Sequence, residues 1–335
     1  MLKSKFMKVQ HIIGADLSKK TIDVFCHSSQ RHLCFENNEK GFKVFIRWLK
    51  ENNINPSDAG IVMEHTGLYS YVFEKFLRND SVSFVKVPAL QIIRSQGVVR
   101  GKSDKIDAKR IALYGFEKQD RLIPDSGENV TLTRLKMLQT LRSGLVSQTA
   151  GLQNRLKEYK NIGIKETDLL VKTQAAILKT LKDKIKLLEA ETQKIIMQDE
   201  NIKRNYGYLV GVSGVGPVTA VLTIIKTGNF TKFTDPRKFS CFCGTAPFVY
   251  TSGTSIKGKT RISHLADKEM KRVLDLAAKS ALQHDPEIKE YYQRRISEGK
   301  SKMSTINVLR NKIIQRMFAV IKRQSPYIKD YLSAA

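Results

Sequence analysis

His11-Ile-Ile-Gly-Ala-Asp16-Leu-Ser-Lys-Lys-Thr-Ile-Asp23-Val-Phe-Cys-His27 is the stretch on which the fold of the first third of the chain turns. His11–Asp16 reads as a short apolar strand, and Thr21–His27 continues after Leu17-Ser-Lys-Lys20 as its hairpin partner. Working outward, Gly41–Glu51 has helical spacing, with Phe42, Phe45, Ile46 and Leu49 on one face. Gly60–Glu64 is a second buried strand ending at His65-Thr-Gly67, residues 68–78 read as a helix, and Val82–Val87 as a strand stopped by Pro88. Asp104–Lys118 is a further helix, closed by Pro124-Asp-Ser-Gly127. Strands alternating with helices predict a layered α/β domain over residues 1–127.

The texture then changes. From about 131 to 205, Leu178, Leu181, Ile185, Leu188, Thr192 and Ile195 recur at spacings of three and four, and Leu138, Leu145 and Leu152 at seven. This is a coiled-coil seam. Asn161-Ile-Gly163 is the expected turn between two long helices, which either pack within their own chain or self-associate. The segment 128–205 is therefore read as a helical hairpin, and 206–335 as a third, mainly helical domain around one Gly/Thr/Ser-rich loop at 244–260. Gly214 and Gly216 lie between two helical runs in Leu209–Ala220 and resemble a helix-hairpin-helix, whose backbone N–H groups grip phosphate. No Gly-Lys-Ser/Thr follows, so this is not a Walker loop.

The chain of 335 residues carries 58 Lys+Arg against 32 Asp+Glu, a formal net charge of +26. The surplus is 7 in residues 1–126, 6 in 127–205 and 13 in 206–335, so no single basic tail supplies it. A charge spread over folded segments suits a long contact with a nucleic-acid backbone. No apolar run reaches the roughly 18 residues that a membrane span needs, and the first ten residues lack the apolar core of a signal peptide. A cytoplasmic location is expected. Cys26, Cys34, Cys241 and Cys243 are too few and too uneven for a disulfide framework. Cys241-Phe-Cys243 lacks a second Cys/His pair for zinc and reads as a pair of buried thiols.

Four acids stand out by position. Asp16 ends the first strand, Glu64 ends a later one, and Asp104 and Asp107 share one helix face in Lys102-Ser-Asp-Lys105-Ile-Asp-Ala-Lys-Arg110. Convergent carboxylates suit a hard divalent ion such as Mg²⁺, and two ions roughly 4 Å apart can clamp both oxygens of a phosphoryl displacement. Each acid alone also has a structural explanation: a turn former at Asp16, a helix N-terminal acid at Asp104, an ion-pair partner at Asp107. His65 reads as a turn-shaping residue or a phosphate contact. The second candidate is Thr251-Ser252-Gly-Thr-Ser255, followed by Lys257, Lys259 and Arg261. A loop serine among cations suits attack on a phosphodiester, the cations steadying the developing charge. No base is placed by spacing; His264 is the nearest histidine.

Gly14–Asp23, Glu64-His-Thr-Gly67 and Lys102–Ala112 together resemble the DEDD catalytic domain of one insertion-sequence transposase family, the IS-one-ten family, which includes Piv-type DNA invertases. Gly211–Ala220, Phe239–Pro247, Thr251-Ser-Gly253 and Arg261-Ile-Ser263 resemble its C-terminal domain in the same order. The resemblance implies an RNase H-like (RuvC-like) fold for about 8–125, with Asp16, Glu64, Asp104 and Asp107 as the Mg²⁺ (or Mn²⁺) site. It implies a nucleophilic serine at Ser252, forming a transient phosphoserine link to DNA, with Ser255 as the second candidate. Lys102, Lys105, Gly214, Gly216, Lys257, Lys259 and Arg261 are the expected nucleic-acid contacts. The family is similar to bridge-RNA-guided recombinases, which implies donor and target DNA and a structured guide RNA as partners. It further implies homodimers assembling to tetramers through the helical middle. After Arg261-Ile-Ser263 many relatives have Gly-Asn or Gly-Asp, where this chain has His264-Leu-Ala-Asp267.

Two other readings compete with a recombinase. A hydrolytic nuclease of the junction-resolvase type would use the same acids with water as nucleophile. A non-enzymatic scaffold on a dead nuclease fold is disfavoured by the intact acid set.

Overall fold

Asp16 does sit on the central strand of a sheet. The computed structural model describes residues 9–328 apart from residues 66, 98–100, 102, 126, 128 and 253–255, with the backbone alone at Leu68, Ser252, Ile256, Lys257 and Lys259. The chain divides into two units, Met1–Glu128 and Asn129–Ala335.

In the first unit, β1 (His11–Leu17), β2 (Thr21–Cys26) and β3 (Arg31–Glu36) form an antiparallel meander. After α1 (Glu39–Glu51), β4 (Ala59–Glu64) joins β1 in parallel, and after α2 (Tyr71–Asn79), β5 (Ser83–Val87) joins β4 in parallel. The sheet order is β3-β2-β1-β4-β5. Two short helices follow, α3 (Ala89–Ser95) and α4 (Asp104–Glu117). The expected hairpin is present, but its third strand was not expected. Of Arg31–Glu36 only Phe35 is buried, so this edge strand lacks the apolar pattern that marks its neighbours. The expected helix at 68–78 begins later, at Tyr71, after a 3-10 turn over Gly67–Ser70.

Alternation along β1 builds two cores. Ile13, Ala15 and Leu17 join Phe42, Phe45, Leu49, Phe73 and Leu77 of α1 and α2, around an aromatic cluster in which Phe35 stacks on Phe45 at 5.3 Å. Each fully buried side chain of this size contributes about 1.5–3 kcal/mol. Ile12 turns to the other face and packs with Val62, Ile111 and Tyr114. Gly14 shares that face with Ile12, and so does Asp16.

The second unit opens with α5 (Val130–Asn161) and α6 (Leu169–Gln198), each about 45 Å long. They reverse at the expected turn and pack on one another, tied by an Arg142–Glu189 ion pair of 2.7 Å. Leu178, Leu181, Ile185, Leu188, Thr192 and Ile195 are half-buried along this seam. At the base of the hairpin, Leu135 and Ile196 enter one core with α7 (Glu200–Val210), α8 (Pro217–Thr227), α9 (Pro236–Phe242), α10 (Lys268–His284), α11 (Pro286–Ser297) and α12 (Lys302–Arg323). The loop expected at 244–260 is instead largely a two-stranded hairpin, β6 (Pro247–Ser252) with β7 (Ile256–Ile262). Phe-Val-Tyr-Thr and the β-branched residues of 256–262 outweigh the Gly and Ser content there. Among the described residues, no helix is long and apolar enough to cross a membrane.

Candidate active site

The first unit gathers its acids at one edge. β1 and β4 run in parallel, so their C-terminal ends coincide; the pairing passes through Ala15 and Met63, and Asp16 and Glu64 are the next residues. The helix α4 crosses this edge because Gly14 lets it approach. A Cβ at Gly14 would lie 2.2 Å from both the Ala108 carbonyl and the Ala112 nitrogen. Phe25, Ala108 and Ala112 close the contact. Asp104 stands one turn before Ala108, in the first turn of α4, where Ser103 caps the helix by accepting from the Ile106 N–H.

Asp16 registers this arrangement. Burial, followed by the negative charges of Asp104, Asp107, Glu64 and Asp23, pushes its carboxyl up to about 6. Asp107 is drawn aside by Arg110, at 2.7 Å, and Arg110 also donates to the Gly101 carbonyl at 2.9 Å. Among the described residues, no three Asp, Glu, His or Cys side chains close around an ion position as they stand. The donor set nevertheless fits a hard divalent cation in chemistry. The negative charges of Asp104, Asp107 and Glu64 bear on the half-buried Asp16, and oxygen-preferring cations are what relieve such repulsion.

A fifth acid, Asp23, lies directly opposite Asp16 on β2, so the two side chains share a face. It is only 8% exposed. His32 Nε2 meets its Oδ1 at 2.7 Å, and Cys34 donates to its Oδ2 at 3.4 Å. A buried carboxylate is thus held in place by two side chains of the edge strand.

In the second unit, Ser252 ends β6 and its backbone pairs with Ile256. Arg261 is exposed and pairs with Phe248 across the hairpin. The base of the hairpin is clamped: Asn307 and Asn311 donate to the Thr245 carbonyl at 2.8 and 3.0 Å, and the buried Thr245 hydroxyl reaches Asn311 at 2.9 Å.

Comparison with known proteins assigns both units. A family model described as Transposase IS116/IS110/IS902 family matches residues 207–293, and a DEDD-type IS110 transposase model matches residues 13–159. The chain belongs to the IS110 family of transposases. Pilin gene-inverting proteins of Moraxella bovis and Moraxella lacunata are each 24% identical to this transposase over 330 residues, covering 95% of this chain and 97% of theirs. An uncharacterised protein of insertion element IS110 from Streptomyces coelicolor is 26% identical over 155 residues, 46% of this chain and 37% of its own. The transposase is therefore a DNA-rearranging enzyme, and its DEDD domain indicates dependence on a divalent metal.

The remaining expected residues of the transposase divide. Lys105 is exposed on α4. Lys102 and Ser255 lie outside the described residues, as do the side chains of Ser252, Lys257 and Lys259. Gly214 and Gly216 do separate two helices, α7 and α8, but they differ. Gly214 has φ +83°, and a Cβ there would strike the Ala277 carbonyl at 2.3 Å, so this glycine serves packing on α10. Gly216 faces open space and leaves the N-terminus of α8 without a side-chain cap. His264 is exposed, and the His65 N–H donates to the Val87 carbonyl at 3.1 Å, at the end of the sheet. Cys243 is buried, where its thiol is pushed up by desolvation, while Cys241 is only half-buried. Sequence reasoning assigned no role to Asp23, His32 or Cys34. Asp23 was within reach, because a hairpin turning at 18–20 places it opposite Asp16; the other two needed the edge strand.

Proposed function

We propose that this transposase is a divalent-ion-dependent DNA recombinase that cuts and rejoins DNA through Ser252, directed to its donor and target by an element-encoded bridge RNA. The observation that supports the metal site in this reading is geometric: Asp16 and Glu64 follow directly on paired residues of two parallel strands, and Asp104 lies in the first turn of the helix that packs on Gly14.

Asp16, Glu64, Asp104 and Asp107 would hold Mg²⁺ or Mn²⁺ in a RuvC-like domain. Bound there, the ion supplies charge neutralisation at a transferring phosphoryl group. The Ser252 hydroxyl gives up its proton and its Oγ bonds to phosphorus. The P–O bond to one sugar breaks, and that oxygen leaves as a hydroxyl. The phosphoserine ester keeps the bond energy, so attack by a second sugar hydroxyl restores both the DNA and the serine. Lys257, Lys259 and Arg261 in the second unit, and separately Lys102 and Lys105 in the first, hold backbone phosphates. The uncapped N–H groups after Gly216 suit a phosphate in helix-hairpin-helix fashion. The α5–α6 hairpin over 128–205 serves homodimer and tetramer assembly by coiled-coil pairing. A guide RNA leaves sequence reading to base pairing, consistent with a basic surface spread along the chain.

Trapping on nicked DNA substrates tests the reading. Wild-type protein is expected to yield a covalent protein–DNA adduct in Mg²⁺, and Ser252→Ala none, with DNA binding retained. An adduct from Ser252→Ala removes the serine from its role. Products cut but never rejoined, formed equally by Ser252→Ala, favour the hydrolytic nuclease.

A further inference from the structure

The hairpin whose first strand ends at Ser252 carries side chains that the proposed chemistry does not use. Phe248 and Tyr250 are two apart on β6 and so project from the same face. Phe248 pairs with Arg261 and Tyr250 with Gly258, the extra residue between these pairs lying on β7. Gly258 has a reason to lack a side chain. A Cβ there would meet the Tyr250 carbonyl at 2.7 Å and its ring Cδ1 at 2.9 Å. The tyrosine ring therefore lies across the glycine, backed by strand backbone, while the residue remains 71% exposed. Phe248 is 48% exposed beside it. Together with Val249, Leu265, Cys241 and Arg261 they border an open cavity of about 810 Å³.

Scattered exposed apolar residues are ordinary; a contiguous group of them on one short hairpin is a recognition surface. Its chemistry selects the occupant. Among the described residues no carboxylate lines the cavity and Arg261 is the charged lining residue, while residues 206–335 carry a surplus of 13 positive charges. Aromatic faces beside a guanidinium, in a cationic domain, match unpaired nucleobases on a phosphate backbone. A base-paired duplex hides its base faces in the stack and offers these rings nothing.

We infer that Tyr250 and Phe248, with Arg261, form a stacking site for an unpaired nucleobase flanking the phosphate that Ser252 attacks. This rests on the reading of Ser252 as nucleophile for its location, though not for the stacking itself. Two residues of strand separate Tyr250 from Ser252, about 7 Å, so a base on the tyrosine ring belongs to a nucleotide next to the reacting phosphate. Stacking there holds a strand end in register between cutting and rejoining. Every base has a π-face, so the site tolerates any sequence and leaves sequence choice to pairing elsewhere.

The test uses the full-length protein and a single-stranded 12-mer DNA containing one 2-aminopurine, against the fully paired duplex of the same sequence. Wild-type protein is expected to quench the 2-aminopurine of the single strand on binding. Tyr250→Ala is expected to lose the quench and to bind the single strand about ten- to a hundredfold more weakly, with Phe248→Ala intermediate and duplex binding within about twofold of wild type. Tyr250→Phe keeps the ring and is expected to restore both signals, which separates stacking from misfolding. Unchanged quench and affinity in both alanine variants overturn the inference. So does a change of oligomeric state in these variants with oligonucleotide binding intact, which would make a second copy of the chain the occupant. Ser252→Ala keeps the quench if the inference holds, whether or not it still forms a DNA adduct, so the two readings fail separately.

Discussion

The two units hold their candidate reactive groups in opposite ways. In the first, Asp16 and Glu64 stand on adjacent strands of a sheet with a core on each face, and α4, which carries Asp104 and Asp107, is pressed down on Gly14 so closely that a single methyl has no room. In the second, Ser252 ends the first strand of a two-stranded hairpin anchored at its base by Thr245, Asn307 and Asn311, with large apolar side chains facing solvent. The acid edge is fixed and electrostatically stressed. The hairpin is anchored at its base and exposed beyond it. A rigid scaffold suits groups that must converge on an ion, and a short exposed ribbon suits a group that must meet DNA.

The stress at the acid edge gives the largest expected effect. Asp16→Asn is expected to abolish adduct formation, a loss of at least about a thousandfold as for removal of a principal electrostatic group. The same variant is expected to unfold at a higher temperature than wild type in EDTA. The folded Asp16 carboxyl is raised to about 6 by burial and by Asp104, Asp107, Glu64 and Asp23. A raised carboxyl binds its proton more tightly in the folded state, so wild-type stability falls as pH rises from about 4 to about 6 and stays lower above that. The variant lacks this loss, which is of order 1 kcal/mol because solvent reaches the group and screens it. Thermal unfolding across pH 4–8 measures it. Equal slopes in the two proteins would mean that the acids do not interact.

Gly14→Ala tests the rigidity itself. The new methyl meets main-chain atoms of α4, which cannot rotate away, so the helix must lift. A cost of about 2–3 kcal/mol is expected, together with loss of adduct formation as Asp104 and Asp107 move with the helix. Trp48 is the sole tryptophan and lies in this unit, so its fluorescence in urea follows the first unit alone. His32→Ala, read in the same way, is expected to cost about 1–3 kcal/mol by leaving the buried Asp23 carboxylate short of its partner. Cys34→Ala removes only a weak thiol donor and is expected to cost less.

The sequence was most legible where burial is two-sided. His11–Asp16 and Gly60–Glu64 are apolar up to their terminal acids, Val82–Val87 is broken only by Ser83 and Lys86, and the strands fall there within a residue or two. The face Phe42, Phe45, Leu49 was readable because an amphipathic helix announces its spacing. The strand Arg31–Glu36 was not, since its side chains are largely solvated and Phe35 is the one it buries. That omission hid the partners of Asp23. The hairpin at 247–262 was masked by its own glycines and serines, and its aromatic face means nothing until the strands are paired. For the same reason Gly214 read as a phosphate contact, while its position against Ala277 is a tertiary fact. Candidate acids were found because strand ends and helix first turns are local features; their mutual repulsion is a property of the sheet.

The smallest expected effect bears hardest on the comparison. Val249 is 70% exposed on β6, three residues before Ser252. If the hairpin is an accessory ribbon on a helical core, Val249→Ser should change the stability of the second unit by no more than about 0.5 kcal/mol, as for a surface position with no buried partner. Far-UV circular dichroism in urea reads this, because the second unit contains most of the helix. Among the described side chains, the core from Leu135 and Ile196 through Met317 includes none from β6 or β7. A loss above about 1 kcal/mol would make the hairpin part of the packed fold, and its aromatic face would then need explaining as structure. A negligible loss leaves Phe248 and Tyr250 exposed without benefit to folding, and recognition is what remains to account for them.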